Sequence, residues 1–114
     1  EREIGIIKDY VSAYMKNVGA AIDDAEKAYK SINLTDKYFL GGYGKYDGFL
    51  LDRISSLLYN EGVGLDPVYS GKAFFGMIDY LNDNNISGKK ILFINTGSAP
   101  LFFDRLKEIN SDKE

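Results

Sequence analysis

Ile4, Ile7, Val11, Tyr14, Met15 and Val18 recur at helical spacing, and Ile22, Ala25, Ala28, Tyr29 and Ile32 repeat the pattern after a break near Gly19. Two amphipathic helices are therefore expected to lead the chain. Asn33 to Asp36 reads as a turn and Lys37 to Leu40 (KYFL) as a short aromatic strand. It runs into Gly41-Gly42-Tyr43-Gly44, a loop able to take backbone angles that side chains forbid. Asp47 is placed to cap the next helix, whose apolar stripe is Leu50, Leu51, Ile54, Leu57 and Leu58, with Gly62 as its stop.

Beyond that helix, Val63 to Leu65 reads as a very short strand ended by Asp66-Pro67, because Pro brings no N–H to a ladder. Phe74, Met77, Ile78 and Leu81 then stand at i, i+3, i+4 and i+7, predicting a helix that runs to the polar turn Asn82 to Gly88. Ile91 to Ile94 (ILFI) is the strongest strand signal, apolar on both faces as in a buried parallel strand. A last helix carries Phe102, Leu106 and Ile109, with Pro100 in its first turn, and the tail SDKE reads as frayed. Short strands alternating with helices predict an α/β chain, a parallel sheet covered by helices in three layers, forming a single domain over 1–114. In such sheets ligands sit beyond the carboxyl ends of the strands. The loops Gly41 to Tyr46, Asp66 to Lys72 and Asn95 to Pro100 are expected to share that edge.

Composition narrows the chemistry. The 114 residues are 45% hydrophobic and 27% charged, ordinary for a globular chain with a modest core. A net charge of -3 with scattered lysines makes nucleic acid a poor partner. The sequence has no cysteine and no histidine, which removes thiol catalysis, disulfides and His-based triads, and no metal site is expected. Chemistry is left to Tyr, Ser, Thr, Lys and carboxylates. No apolar run approaches the ~20 residues that cross a bilayer, so neither membrane contact nor a signal peptide is expected, and a cytoplasmic location follows.

The segments EGVGLDPVYSGKAFFGMIDYL and GKKILFINTGSAPLFF resemble the C-terminal part of the D-cysteine desulfhydrase and 1-aminocyclopropane-1-carboxylate (ACC) deaminase family. These are pyridoxal 5'-phosphate (PLP) enzymes of the tryptophan synthase β-like fold. The resemblance covers roughly Tyr38 to Phe103, with DPVY-x-GK and the strand-TG-x-AP as its specific anchors and a GYG segment before the middle helix. After DPVY, ACC deaminases typically carry Glu, and Leu at the position of Thr96; the desulfhydrases carry Ser or Thr and then Thr. Ser70 and Thr96 place this chain on the desulfhydrase side. It departs from the family in having Asn95-Thr96-Gly97-Ser98 where His-Thr-Gly-Gly is common. The family's Schiff-base lysine and phosphate loop lie upstream of the matched region, and Lys72 is not that lysine. The resemblance thus implies a C-terminal portion of a subunit, homodimeric when full length, whose cofactor is held with the rest of that subunit. The chain alone is expected to be inactive, without PLP, and to self-associate through exposed strand edges.

What the resemblance implies for single residues stands beside what they do in any fold. Thr96 is assigned to the cofactor's ring nitrogen, whose hydrogen bonding sets how much charge the ring accepts, with Ser70 beside it and Gly97 permitting close approach. Structurally, Thr96 and Ser70 are ordinary helix caps and Gly71 and Gly97 ordinary turn residues. Tyr69 is assigned an acid/base or substrate-orienting role, since a phenol of pKa ~10 can be shifted by a pocket. Its alternative is a ring sealing the rim. Tyr43 is assigned to face the substrate, Lys72 is read as solvated or paired with Asp66, and Phe74, Phe75, Phe102 and Phe103 as core or contact residues. Three functions remain open: a desulfhydrase taking D-cysteine to pyruvate, hydrogen sulfide and ammonia; an ACC deaminase giving 2-oxobutanoate and ammonia; and a non-catalytic binding module.

Overall fold

The structure is a computed structural model that describes residues 2–19, 22–97 and 99–107. Ser98, Ile109 and the SDKE tail lie outside the described residues. The chain divides into two compact units, residues 1–35 and 36–114.

The first unit holds two helices, α1 (Arg2–Asn17) and α2 (Ile22–Ser31), packed on each other. Of the predicted stripe, Ile7, Val11 and Met15 are half-buried, whereas Ile4, Tyr14 and Val18 are exposed. Polar contacts reinforce the pairing: the Tyr29 hydroxyl donates to the Lys8 carbonyl at 2.7 Å and bonds with Ser12 at 2.7 Å. Gly19, at φ +70°, takes the left-handed conformation where the sequence predicts a break.

The second unit is built on α3 (Gly48–Glu61) and α4 (Ser70–Asp83), with the short α5 (Ala99–Asp104) following. The ends of α3 are written in its sequence: the Asp47 carboxylate accepts the Leu50 N–H at 2.9 Å, and Gly62 closes the helix at φ 69°, donating to the Leu58 carbonyl. The core centres on Ile54, which is 0% exposed, and Leu50, with Tyr46, Leu51, Leu58, Phe75 and Phe102 packed around them. Arg53 and Asp79 tie the two helices by a bidentate pair at 2.9 and 2.8 Å, and the guanidinium lies 4.4 Å from the Phe75 ring centre.

The expected parallel sheet is not there: among the described residues no strand forms, and this unit too is helical with irregular connections. Each of the three predicted strands fails for its own reason. Lys37 to Leu40 is diverted into turns, with the Phe39 N–H bonded to the Asp36 carbonyl at 3.0 Å and Leu40 itself at φ 51°. Val63 to Leu65 lies between the left-handed Gly62 and the turn at Asp66, too short to hold a ladder. Ile91 to Ile94 has no strand to pair with among the described residues, and a strand exists only through the hydrogen bonds of a neighbour ~4.8 Å away. Ile91, Leu92 and Ile94 are exposed, Leu92 to 84%, and only Phe93 is partly covered, edge-on to Phe74 at 5.2 Å.

Candidate functional site

Asp66 organises the turn before α4. Its side chain is 1% exposed, and its carboxylate accepts from the backbone N–H of Val68 (2.8 Å), Tyr69 (2.8 Å) and Ser70 (2.9 Å), and also from the Ser70 hydroxyl. The Ser70 Oγ accepts in return from the Asp66 N–H at 2.9 Å. This is a helix cap placed four residues ahead of Ser70, with Pro67 next to the cap where a missing N–H is harmless. Burial pushes the Asp66 carboxyl up, but the Ser70 hydroxyl and the three backbone N–H groups outweigh it and hold the group below its ordinary value. Ser70 is therefore a latch on Asp66.

Close packing completes the turn. The Gly71 N–H donates to the Asp66 carbonyl at 2.8 Å, and a Cβ on Gly71 would stand 2.5 Å from the Ile54 Cδ1 and 2.7 Å from that carbonyl oxygen. Only glycine fits. So fixed, the turn projects Tyr69 outward, half-exposed, with its ring centre 5.7 Å from that of Tyr43 at an interplanar angle of 58°. Desolvation, then hydrogen bonding with Tyr43, then the Tyr43 and Asp66 charges raise the Tyr69 phenol above its usual value.

Tyr43 arrives on the glycine loop, in which Gly41, Gly42 and Gly44 all have positive φ. Lys72 binds that loop to α4: its Nζ donates to the Phe39 carbonyl at 3.0 Å and the Gly42 carbonyl at 3.1 Å. This corrects the expectation of a solvated lysine or an Asp66 partner. Burial lowers the Lys72 ammonium below its ordinary value, against the opposing charge of Asp47.

Two of the three predicted loops thus meet. In the third loop Asn95, Thr96 and Gly97 are all exposed. Among the described residues Thr96 has no hydrogen bond or ring contact with Tyr69, Ser70 or Tyr43. Gly97 stands at φ +126° with open space where a Cβ would be, and its N–H donates to the Asn95 side chain at 3.1 Å. Its glycine is required by backbone angle, whereas that of Gly71 is required by contact. The open groove of about 280 Å³ on the second unit lies elsewhere, lined by Arg53, Ser56, Leu57, Asn60, Glu61 and Phe75. None of the five predicted site residues borders it.

Sequence comparison adds what this geometry lacks. The chain is 43% identical over 77 residues, 67% of its length, to proteins named D-cysteine desulfhydrase from Salmonella newport strain SL254, Salmonella heidelberg strain SL476 and Salmonella agona strain SL483. Over those residues it is a homologue of the D-cysteine desulfhydrases. The chain spans about a quarter, 24%, of the length of these desulfhydrases. No family model matches it, and no solved structure does. No helix among the described residues is long and apolar enough to cross a membrane.

Of the described residues that the desulfhydrase resemblance places near a cofactor or in its motifs, two are already engaged within the chain. The Lys72 amine is engaged by two carbonyls and the Ser70 hydroxyl by Asp66. That leaves the phenols of Tyr69 and Tyr43 and the hydroxyl of Thr96 to face a ligand. The signal for Asp66 is present in the sequence as Asp directly before Pro, the pairing of a cap with a first-turn proline. No spacing rule identifies Lys72, whose partners are main-chain carbonyls more than 29 residues away.

Proposed function

We propose that this chain is a portion of a PLP-dependent D-cysteine desulfhydrase, converting D-cysteine and water to pyruvate, hydrogen sulfide and ammonia in the complete protein. The 43% identity to proteins bearing that name carries the reading. The site geometry supports the part assigned to Tyr69: a half-exposed phenol, paired with Tyr43 and carried on a turn fixed by Asp66, can reach a substrate to orient it or exchange a proton with it. Thr96 and Gly97 belong to the cofactor side of the site in this reading, together with residues the present chain does not supply. Ser70 acts from within the turn, fixing the residue beside it. The other partners in the proposal are the remainder of the subunit, a second subunit and a small amino acid.

The test is product release by the complete protein. Pyruvate and sulfide from D-cysteine, well above 2-oxobutanoate from ACC, are expected. The reverse preference, or neither product, overturns the proposal. Thr96→Leu is expected to reduce turnover of D-cysteine relative to ACC. An unchanged preference refutes the role given to Thr96.

A further inference from the structure

We propose that Lys72 is a positioning residue, whose ammonium holds the glycine loop against α4 and thereby sets Tyr43 against Tyr69. This deepens the reading of the same site. The loop cannot hold its own shape. Leu40, Gly41, Gly42 and Gly44 all lie at positive φ, a run that is costly for Leu40 and entropically loose for the glycines, and a Cβ on Gly44 would meet nothing within 4 Å. Its internal backbone bonds are short-range turns, Gly42 to Phe39 at 3.2 Å and Lys45 to Gly42 at 3.3 Å. Lys72 grips the same two residues from outside. Its three donors suit a pair of carbonyls, and each is a charge-assisted bond to the main chain.

Position on α4 explains why this residue reaches the loop. Lys72 follows Gly71, whose missing side chain lets the first turn of α4 lie on Ile54, and Asp66 fixes the start of that turn. One short stretch therefore places both ends of the aromatic pair. Tyr69 is set by the cap and Tyr43 by the lysine three residues further on. With Tyr43 74% exposed and touching Tyr69, little else holds its ring.

The experiment is NMR on the 114-residue chain with specifically labelled tyrosine, phenylalanine and lysine. In the unsubstituted chain the account expects a ring-to-ring nuclear Overhauser effect between Tyr43 and Tyr69, and slower Nζ proton exchange for Lys72 than for the exposed Lys45. Lys72→Met, which keeps the aliphatic stem, removes the ring-to-ring effect while that between Phe74 and Phe93 persists; Lys72→Arg restores it. Persistence of the Tyr43–Tyr69 effect in Lys72→Met overturns the proposal. So does fast Nζ exchange, or absence of the effect, in the unsubstituted chain. In the complete protein, Lys72→Met lowers kcat/KM for the true substrate on the order of 100-fold, as expected when a reacting group is misplaced by about 1 Å, with substantial recovery in Lys72→Arg. Failure of the desulfhydrase reading appears separately, as the wrong product or none, and leaves the tyrosine geometry as measured.

Discussion

Replacing Asp66 by Ala removes one acceptor group from four donors at once: the N–H groups of Val68, Tyr69 and Ser70 and the Ser70 hydroxyl. Loss of a helix cap alone costs about 1–2 kcal/mol. A buried donor left without a partner costs about 1–3 kcal/mol. The Val68 and Ser70 bonds are buried, whereas Tyr69 is half-exposed and its N–H can recruit water. The cap and these donors are the same bonds, so the two buried N–H groups set the figure, a loss of about 2–6 kcal/mol, a large share of the ~5–15 kcal/mol that holds a domain. The assay is urea unfolding followed at the Ile54 methyl resonance, which reports the second unit alone. Asp66→Asn, which keeps one carbonyl acceptor, falls between. A loss below about 1 kcal/mol for Asp66→Ala, with an unchanged slope against urea, refutes the account of the turn.

Other outcomes follow from the same contacts. Because the folded Asp66 pKa is depressed, its contribution is fully present above the unfolded value of about 4 and is lost as pH falls through the lower folded value; acid titration of Asp66→Asn shows a flatter fall in stability over that window. Gly71→Ala forces Ile54 and the Asp66 carbonyl aside and destabilises by about 1–3 kcal/mol despite the better helix propensity of Ala, read by the same urea titration. Arg53→Met with Asp79→Asn, taken as a double-mutant cycle, gives a coupling of about 0.5–1.5 kcal/mol that shrinks in 1 M salt, because the pair is half-buried and bidentate.

What the sequence disclosed tracks how local each signal is. Asp47 and Gly62 mark the ends of α3 because a cap needs only residues within one turn, and both perform as their spacing predicts. The helices of the second unit follow from Leu50, Leu51, Ile54, Leu57 and Leu58 and from Phe74, Met77, Ile78 and Leu81 at helical spacing, all of them buried or half-buried in the structure. The predicted strands fail because an apolar tetrapeptide such as Ile91 to Ile94 states a preference for burial without naming what covers it. In the structure those side chains are largely exposed, and no ladder forms among the described residues. Ser70 stands at the helix start, as its cap chemistry predicts, yet the capping group is Asp66, which a reading of Asp-Pro as the end of a strand hides because that pair opens the turn. Tyr43 and Tyr69, 26 positions apart, meet although the sheet edge expected to gather their loops does not form; the lysine that joins them leaves no sequence signal, since its partners are main-chain carbonyls.

The assignment of function turns on whether the paired phenols take part in breaking down D-cysteine. The most direct measurement is the rate of pyruvate release from D-cysteine by the complete protein, unsubstituted and with Tyr69→Phe, under saturating substrate. The account predicts steady turnover that falls by about 10²–10⁴-fold when the hydroxyl is removed, the range typical of a lost proton-transfer group, with the fold retained. Turnover in Tyr69→Phe equal to that of the unsubstituted protein, or no pyruvate from either, contradicts it.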